Sequence, residues 1–211
     1  MTTAADFGSV LVRQAALVGV ELPEAVIVGC AIHYGLMVRW NTTHNLTRVV
    51  DPEDAAVRHY LDCVLPVVAW SQGRSCVAPV DFLDIGSGAG FPGLVAALVW
   101  PGVVAGLVEP ARKRASFLSI AAGAMGVKAV VRSPGPWTSK LVLSRATFSS
   151  GVRETLWPYV SAGGSLLVWS TEQEAVTWKG TVSTWADASL ATIPYGLPGR
   201  DGHVLVVVER R

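Results

Sequence analysis

A dense group of glycines follows a short apolar segment near the middle of the chain, in VDFLDIGSGAGFPGL at residues 80–94. Asp84 stands two residues before the first glycine, and an apolar run suited to a helix follows the glycines. Glycine is required where the backbone turns sharply and a ligand must lie against it without a Cβ in the way. The segment therefore predicts a strand, a ligand-binding turn and a helix, and the glycines concerned are Gly86, Gly88, Gly90 and Gly93.

Two acidic residues bear on which cofactor such a turn would hold. Gly88-x-Gly90-x-x-Gly93 matches the dinucleotide fingerprint, so the glycines alone do not distinguish NAD from a methyl donor. Asp84 is placed to meet the ammonium of an amino-acid-bearing cofactor, directly or through water. Glu109 ends the next predicted strand, where an acid can accept hydrogen bonds from both ribose hydroxyls. Glu109 suits either cofactor, whereas Asp84 together with a predicted C-terminal hairpin favours S-adenosylmethionine.

These residues also have ordinary structural interpretations. The glycines could form a turn that holds no ligand, and Asp84 could cap that turn. Glu109 could be a solvated acid beside Arg112. The strands and helices around them favour cofactor binding, because open α/β sheets bind ligands at the carboxyl ends of their strands.

The elements that must position these residues change in character along the chain. Helical patterns come first, at 4–19, at 23–40 and from Asp51-Pro52 to about residue 70, and NTTHNLT (41–47) is predicted as a loop. After a connector at 71–79, apolar runs typical of strands alternate with runs typical of helices. Strands are predicted at 80–85, 103–108, 128–132, 140–144 and 165–169, and helices at 91–100, 111–125 and about 150–160.

The alternation predicts a Rossmann-like α/β fold, with a mostly parallel sheet flanked by helices. Helical content between 172 and 186 is left open, and the apolar runs at 188–193 and 203–209 predict an antiparallel C-terminal hairpin. The predicted organisation is a small helical N-terminal extension over residues 1–75, followed by a Rossmann-like domain over residues 76–211.

Composition and charge limit the functional classes. Of 211 residues, 51% are hydrophobic and 16% are charged, which excludes a disordered chain. The formal net charge of +1 lacks the basic excess usual in proteins that grip long nucleic-acid surfaces, and this counts against RNA binding. Cys30, Cys63 and Cys76 are scattered and lack metal-ligand spacing, which predicts free thiols in a reducing compartment and no metal site.

An uncharged run at 91–108 is long enough to raise the question of a membrane span. Pro101-Gly102 divides it into a helix-like piece and a strand-like piece, so the interior of an α/β protein explains it better. The N-terminus lacks the pattern of a signal peptide. We therefore expect a cytoplasmic protein with no membrane partner. We also expect it to be a monomer.

Five segments carry a family resemblance: RWNTTHNLT (39–47), DPEDAAVRHYLD (51–62), DIGSGAGFPG (84–93), EPARKRASFL (109–118) and LSRA (143–146). They resemble the bacterial methyltransferases, called RsmG or GidB, that modify guanine N7 in small-subunit ribosomal RNA. The order is that of the family, and the spacing is close to it as far as residue 132. The resemblance covers most of the first 150 residues. The two N-terminal segments are its specific part, because many methyltransferases share the glycine-rich core.

The resemblance implies an S-adenosylmethionine-dependent class I methyltransferase acting on 16S ribosomal RNA, with ribosomal RNA or the small ribosomal subunit as its partner. The residues that would hold the methyl donor are Asp84, Gly86, Ser87, Gly88, Gly90, Phe91, Glu109 and Arg145. The candidate catalytic residues are Arg145, in the family's Ser-Arg-Ala motif, and Asn45. The candidate substrate contacts are Arg39, Arg58 and His59, with Arg48, Arg112, Lys113 and Arg114 as further phosphate contacts.

Structural alternatives accompany these assignments as well. Asn45 could be a loop amide, Arg58 could form an ion pair with Asp62 four residues later on a helix face, and His59 could be a structural histidine. Residues 112–114 could form a solvated helix face.

Two segments depart from the family's pattern. In the family a loop with an acidic pair follows the third strand and helps to hold adenine. Here VVRSPGPWTSKLVLSRA (130–146) is shorter, and there is no acid between Glu109 and Glu154. Ser170-Thr171 stands where the family tends to have lysine and glycine.

These departures keep two alternatives open. The chain could be a methyltransferase of the same fold that acts on a small molecule or another RNA, or a diverged relative that binds a partner without catalysis. Eight tryptophans would fit an interaction surface in the second case, although tryptophans are more often core residues. A dehydrogenase is a more distant alternative.

Overall fold

The computed structural model of the chain describes residues 4–73, 81–145 and 152–211. Its helices are α1 (Ala4–Ala16), α2 (Glu24–His44), α3 (Pro52–Ala55), a π-helix (Ala56–Leu61), α4 (Asp62–Gln72), α5 (Gly93–Val99), α6 (Arg112–Met125), α7 (Val152–Leu156), a 3-10 helix (Trp157–Tyr159) and α8 (Glu172–Val182). Its strands are β1 (Asp81–Ile85), β2 (Val104–Val108), β3 (Ala129–Arg132), β4 (Ser139–Ser144), β5 (Val160–Thr171), β6 (Ala188–Leu197) and β7 (Arg200–Arg210). Cys76, most of the predicted connector at 71–79 and the predicted start of the helix at 150 lie outside the described residues.

The strands form one seven-stranded sheet in the order β3-β2-β1-β4-β5-β7-β6. Strands β1 to β5 run parallel to one another, and β7 is antiparallel to both β5 and β6. Four of the five residues of β1, and likewise of β2, are buried, as expected of strands covered on both faces. The predicted fold class, a mostly parallel sheet with an antiparallel C-terminal hairpin, is confirmed.

Several predicted boundaries are wrong in detail. Helix α2 continues to His44, so the first part of the segment predicted as a loop is helical. The helix ends at Asn45, which adopts a left-handed conformation with φ 45° and ψ 54°. The segment left open at 172–186 begins with α8, where Thr171 and Glu174 form a reciprocal capping box. The predicted helix start at Asp51 is confirmed, since its side chain accepts a hydrogen bond from the Asp54 amide.

The hydrophobic core is shared between the N-terminal helices and the sheet. One buried cluster runs from Phe7 in α1 through Tyr60 to Leu107 in β2 and Val207 in β7. A second cluster on the other face of the sheet contains Trp157 and Trp185. The N-terminal helices therefore bury their apolar faces against one face of the sheet and its helices, and the division at residue 75 stays a prediction.

The connection from β3 to β4 has only six residues (133–138) and must cross β2 and β1. The chain must travel roughly 20 Å from the end of β3 to the start of β4, since it crosses three strand spacings and also runs back along the length of a strand. The seven Cα–Cα steps from residue 132 to residue 139 span at most about 25 Å when fully extended. The connection is therefore too short to contain a helix. A cavity of about 280 Å³ lies beside it, lined by residues that include Leu83, Val104, Val130 and Trp137.

The uncharged run at 91–108 forms α5 and β2, both largely buried in the α/β interior. Within residues 4–73, 81–145 and 152–211, no helix is long and apolar enough to cross a membrane. The same residues contain no cluster of three or more potential metal ligands.

Candidate active site

Three of the predicted site residues or segments follow neighbouring strands at one edge of the sheet. The glycine loop (residues 86–91) follows β1, Glu109 follows β2 and Arg145 follows β4, and β2, β1 and β4 lie side by side. Because the carboxyl ends of parallel strands meet at one edge, the topology brings these residues together. The candidate site therefore lies where open α/β sheets bind ligands.

The glycine loop uses its glycines in two ways. Gly86, Gly88 and Gly90 have φ values of 79°, 56° and 94°, which residues with a Cβ rarely adopt. Gly86 is exposed and Gly88 is half-buried, so both leave backbone open to a ligand. Gly90 is buried instead, and a Cβ there would lie 2.6 Å from the Leu94 side chain. The first two glycines are thus suited to ligand contact, and Gly90 to packing.

Asp84 is fully buried beneath this loop. Its Oδ2 accepts a hydrogen bond of 3.0 Å from the Gly93 amide, and its carbonyl accepts one from the Ser87 hydroxyl. A Cβ on Gly93 would lie 2.5 Å from this Oδ2, so only glycine fits there. Asp84 therefore does cap the turn, which was the structural alternative to a cofactor contact. Ser87 is 1% exposed and supports the loop from inside.

The second carboxylate oxygen of Asp84 has a different environment. Oδ1 is buried and has no hydrogen-bond partner within the described part of the chain. Burial raises the pKa of Asp84 to about 7, although the hydrogen bond from the Gly93 amide acts in the opposite direction. A buried carboxylate with one unsatisfied oxygen is a site where a cationic group or a bridging water would be stabilising.

Glu109 is not a solvated acid beside Arg112, because only 4% of it is exposed. Its Oε2 accepts a hydrogen bond of 2.9 Å from the Gly88 amide, and its Oε1 accepts one of 2.8 Å from the Ala111 amide. The carboxylate therefore connects the end of β2 to Gly88 of the glycine loop. Its predicted contact with a ribose stays a prediction.

These features fit S-adenosylmethionine. Gly86 and Gly88 offer backbone without side chains, Glu109 lies beside Gly88, and the unpartnered Oδ1 of Asp84 lies below the loop. An amino-acid ammonium and a ribose are the groups that such carboxylates hold. Asp84, Gly86, Gly88 and Glu109 would therefore hold the donor.

Phe91 closes the loop and is the centre of an aromatic cluster. The His59 ring stacks on it at a centroid distance of 4.6 Å and an interplanar angle of 16°. The rings of His33 and Tyr60 meet it edge-on, at 5.0 Å and 5.2 Å. The Arg145 guanidinium carbon lies 5.9 Å from its centroid. Phe91 thus joins the glycine loop to the N-terminal helices.

His33 was not predicted from the sequence, yet it binds the loop directly. Its Nε2 lies 2.8 Å from the Ala89 carbonyl and its Nδ1 lies 2.8 Å from the Tyr60 hydroxyl. A carbonyl only accepts, so Nε2 donates and Nδ1 accepts from Tyr60. Burial lowers the pKa of His33 to about 4, which keeps the ring neutral in this arrangement. A histidine on an apolar helix face gives no sequence signal that would distinguish this role.

His59 lies between the loop and the segment that follows α2. Its Nε2 is 2.9 Å from the Thr47 hydroxyl. Burial, and next the positive charge of Arg145, lower its pKa to about 3, so the ring that stacks on Phe91 is uncharged. The stacking on Phe91 gives His59 a structural role, and its contact with substrate stays a prediction.

Arg145 is held by the helix that runs from α3 to α4. Its guanidinium pairs with Asp62 at 2.8 Å, donates to the Arg58 carbonyl and contacts the Cys63 sulfur. The ion pair considered between Arg58 and Asp62 is wrong. Arg58 instead lies 3.9 Å from Asp54, because the Asp62 carboxylate faces the sheet and is taken by Arg145.

A π-helix and a proline in this helix each leave a backbone carbonyl without its usual partner in the helix, and side chains from the sheet donate hydrogen bonds to these carbonyls. In the π-helix the Asp62 amide bonds to the Val57 carbonyl, five residues back, so the Arg58 carbonyl remains available to Arg145. Pro66 lacks an amide hydrogen, so the Asp62 carbonyl four residues earlier remains available to the Trp169 indole. The helix is therefore bonded to the ends of β4 and β5.

The remaining predicted residues lie on the surface. Asn45 is exposed and ends α2, and asparagine tolerates the left-handed conformation that this position requires. The basic residues predicted as phosphate contacts are also exposed or half-exposed: Arg39, Arg48, Arg58, Arg112, Lys113 and Arg114. Their roles in substrate binding, and a catalytic role for Asn45, stay predictions.

Solved structures with similar folds are methyltransferases. An O-methyltransferase of Klebsiella pneumoniae matches with a TM-score of 0.61 at 9% identity, over 94% of this chain and 96% of the other. A class I S-adenosylmethionine-dependent methyltransferase of Listeria monocytogenes matches with a TM-score of 0.58 at 12% identity, over 98% and 87% of the two chains. A Bacillus cereus O-methyltransferase, solved with S-adenosylhomocysteine, also matches with a TM-score of 0.58 at 11% identity, over 99% of this chain and 98% of the other. At these identities the likeness shows the fold alone.

Sequence comparison identifies the family. The ribosomal RNA small subunit methyltransferase G of Streptococcus pyogenes is 27% identical over 194 residues, covering 85% of this chain and 81% of the relative. The protein of the same name from Lactococcus lactis is 27% identical over 207 residues, covering 91% and 86%. The family model described as GidB, rRNA small subunit methyltransferase G, matches residues 30–181. The chain therefore belongs to the GidB family and is an S-adenosylmethionine-dependent methyltransferase.

Proposed function

We propose that the chain transfers a methyl group from S-adenosylmethionine to N7 of a guanine in the ribosomal RNA of the small subunit. One observation carries the proposal. The segment at 51–62 that resembles the family's N-terminal signature packs on the donor loop, through the stack of His59 on Phe91. The part of the chain most specific to this family is thus built into the proposed reaction site.

The chemistry needs few groups from the chain. When bound, S-adenosylmethionine supplies a methyl group activated by a positively charged sulfur. N7 of guanine has a free lone pair, so no residue has to remove a proton before it attacks. The chain's task is to align the reactants and exclude water. Gly86 and Gly88 offer the donor a backbone surface, and Phe91, with His59 stacked on it, forms an apolar wall.

The arginines near the site divide into one that holds the site in place and two that could contact RNA. Arg145 is committed to Asp62 and the Arg58 carbonyl, so it shapes the pocket and acts as a fixed positive charge. Arg39 and Arg48 are exposed and free to approach phosphate. We propose a cytoplasmic protein that acts as a monomer on the ribosomal subunit, where a few contacts suffice despite the net charge of +1.

The proposal is tested with small ribosomal subunits that lack the modification and S-adenosylmethionine labelled in its methyl group. Mass spectrometry of the digested RNA is expected to find the label in N7-methylguanosine. Asp84→Ala is expected to lower the rate at least ten-fold by weakening donor binding, roughly the effect of losing a charged contact. Asp201→Ala, which removes an exposed carboxylate in the hairpin, is the control and should change the rate less than two-fold.

A second substrate class has one observation in its favour. The six-residue connection after β3 lacks the acidic pair that the family uses there, and it contains the half-exposed Trp137. Donor binding without methylation of subunits would contradict the ribosomal proposal and favour a small molecule or another RNA. No donor binding by the unsubstituted chain would contradict the assignment of the cofactor site.

A further inference from the structure

Asp62 is the point where four elements of the structure meet. Its Oδ2 pairs with Arg145 after β4, and its Oδ1 accepts a hydrogen bond of 2.8 Å from the Tyr195 hydroxyl in β6. Its carbonyl accepts a hydrogen bond from the Trp169 indole in β5. Asp62 itself begins α4 and is 7% exposed. A buried carboxylate with a partner on each oxygen, on a residue whose backbone carbonyl is also bonded, has little freedom to move.

Tyr195 is the distant member of this network. It lies 133 positions from Asp62 in the sequence, in the C-terminal hairpin, and no part of it contacts the glycine loop in the hydrogen bonds and ring contacts of the described residues. Burial, and next the negative charge of Asp62, raise the pKa of Tyr195 well above its usual range. The hydroxyl therefore stays protonated and donates to Asp62 at any physiological pH.

We propose that Tyr195 is a positioning residue for donor binding, acting through Asp62 on Arg145. The Arg145 guanidinium lies 5.9 Å from the ring centroid of Phe91, and its charge favours the ionised form of Asp84. Arg145 thus acts on both ends of the glycine loop, and its position depends on the carboxylate of Asp62. Without the tyrosine hydroxyl, Asp62 keeps only one of its two side-chain partners and can rotate, taking Arg145 with it.

The inference rests on the donor site of the proposed function but not on the identity of the RNA. Donor binding measured by calorimetry therefore tests it. Tyr195→Phe is expected to weaken binding of S-adenosylmethionine about five- to ten-fold, within the range for losing a hydrogen bond to a charged group. An affinity within two-fold of the unsubstituted chain would overturn the inference.

A matched control separates positioning from general stability. The Tyr34 hydroxyl also donates one hydrogen bond of 2.8 Å, to the Val50 carbonyl, and the Tyr34 ring stacks on Phe7, so its contacts differ from those of Tyr195. Tyr34→Phe should lower the melting temperature about as much as Tyr195→Phe and leave the donor affinity within two-fold. Equal losses of affinity in both variants would mean that Tyr195 acts only on stability, and would overturn the inference.

A double-substitution cycle tests the route through Arg145. Arg145→Lys should weaken donor binding, and adding Tyr195→Phe to it should cost less than a further two-fold, since there is no guanidinium left to position. Fully additive losses would show that Tyr195 acts by another route. Absence of donor binding by the unsubstituted chain would overturn this inference and the proposed function together.

Discussion

At the scale of single residues, burial decides what each ionisable group near the donor site can do. Asp84 and His33 are both fully buried, and burial disfavours the charged form of each. The pKa of Asp84 rises to about 7 and that of His33 falls to about 4. One group is therefore ready to ionise near neutral pH when a cation approaches, and the other stays neutral and donates to the loop.

Donor binding should therefore depend on pH. A cationic ammonium binds ionised Asp84 better, and with a pKa of about 7 the ionised fraction rises steeply between pH 5.5 and 7. We expect the affinity for S-adenosylmethionine to rise about ten-fold over this interval, which lies below the range where an α-amino group titrates. Calorimetry at several pH values measures it. Asp84→Asn should bind more weakly with no such rise, and an unchanged rise would contradict the role of Asp84.

His33 should make the free energy of unfolding depend on pH, with stability rising as the pH rises. Its pKa of about 4 lies below the value of about 6.5 in an unfolded chain. The neutral ring therefore contributes stability above pH 6.5 that is lost as the pH falls towards 4, up to about 3 kcal/mol. His33→Gln keeps a donor for the Ala89 carbonyl and removes the titration. Urea unfolding between pH 7 and 4.5 should show a smaller loss in this variant, and an equal loss would exclude His33 as its source.

At the scale of elements, the contact between β1 and α5 depends on the absence of a side chain at one position. A Cβ at Gly93 would lie 2.5 Å from both the Asp84 carboxylate and the Leu107 side chain. Gly93→Ala should lower the free energy of unfolding by about 2 kcal/mol, the usual cost of overpacking, and should also weaken donor binding. Denaturant unfolding measures the change.

The control for that substitution is Gly123→Ala. Gly123 lies in α6 and is exposed, and an added Cβ would meet no atom within 4 Å. Alanine favours a helix over glycine by about 1 kcal/mol, so this variant should be equally or more stable than the unsubstituted chain. If both variants lost stability alike, the close approach at Gly93 would not be the cause.

The helix from α3 to α4 shows why its boundaries could be predicted and its contacts could not. Asp51 and Pro52 form a helix start that the sequence signals directly, and the structure confirms it. The π-helix and Pro66 each free a carbonyl, but which donors would take them depends on where β4 and β5 end in space. A helix start can therefore be predicted from local sequence, whereas the donor that bonds to a freed carbonyl depends on how the helix packs against the sheet.

At the scale of the whole molecule, the N-terminal helices and the sheet should unfold together. A single buried cluster joins them, and hydrogen bonds cross between them at His33, Asp62 and Tyr195. We expect one calorimetric transition and coincident urea curves from far-ultraviolet dichroism and tryptophan fluorescence. Two separate transitions would show that residues up to about 75 form an independent unit.

The sequence by itself determined the order of the strands and of the helices up to about residue 160, the glycine loop, the acids beside it and the family. These depend on local periodicity, on backbone conformations that only glycine tolerates, and on motifs a few residues long. Only the tertiary structure decided that His33 donates to the loop, that Asp62 pairs with Arg145, and that Tyr195 completes that pair. Those contacts join residues 56, 83 and 133 positions apart. Spacing in a sequence carries no information on such pairs, because their geometry is fixed by how the helices and the hairpin pack against the sheet.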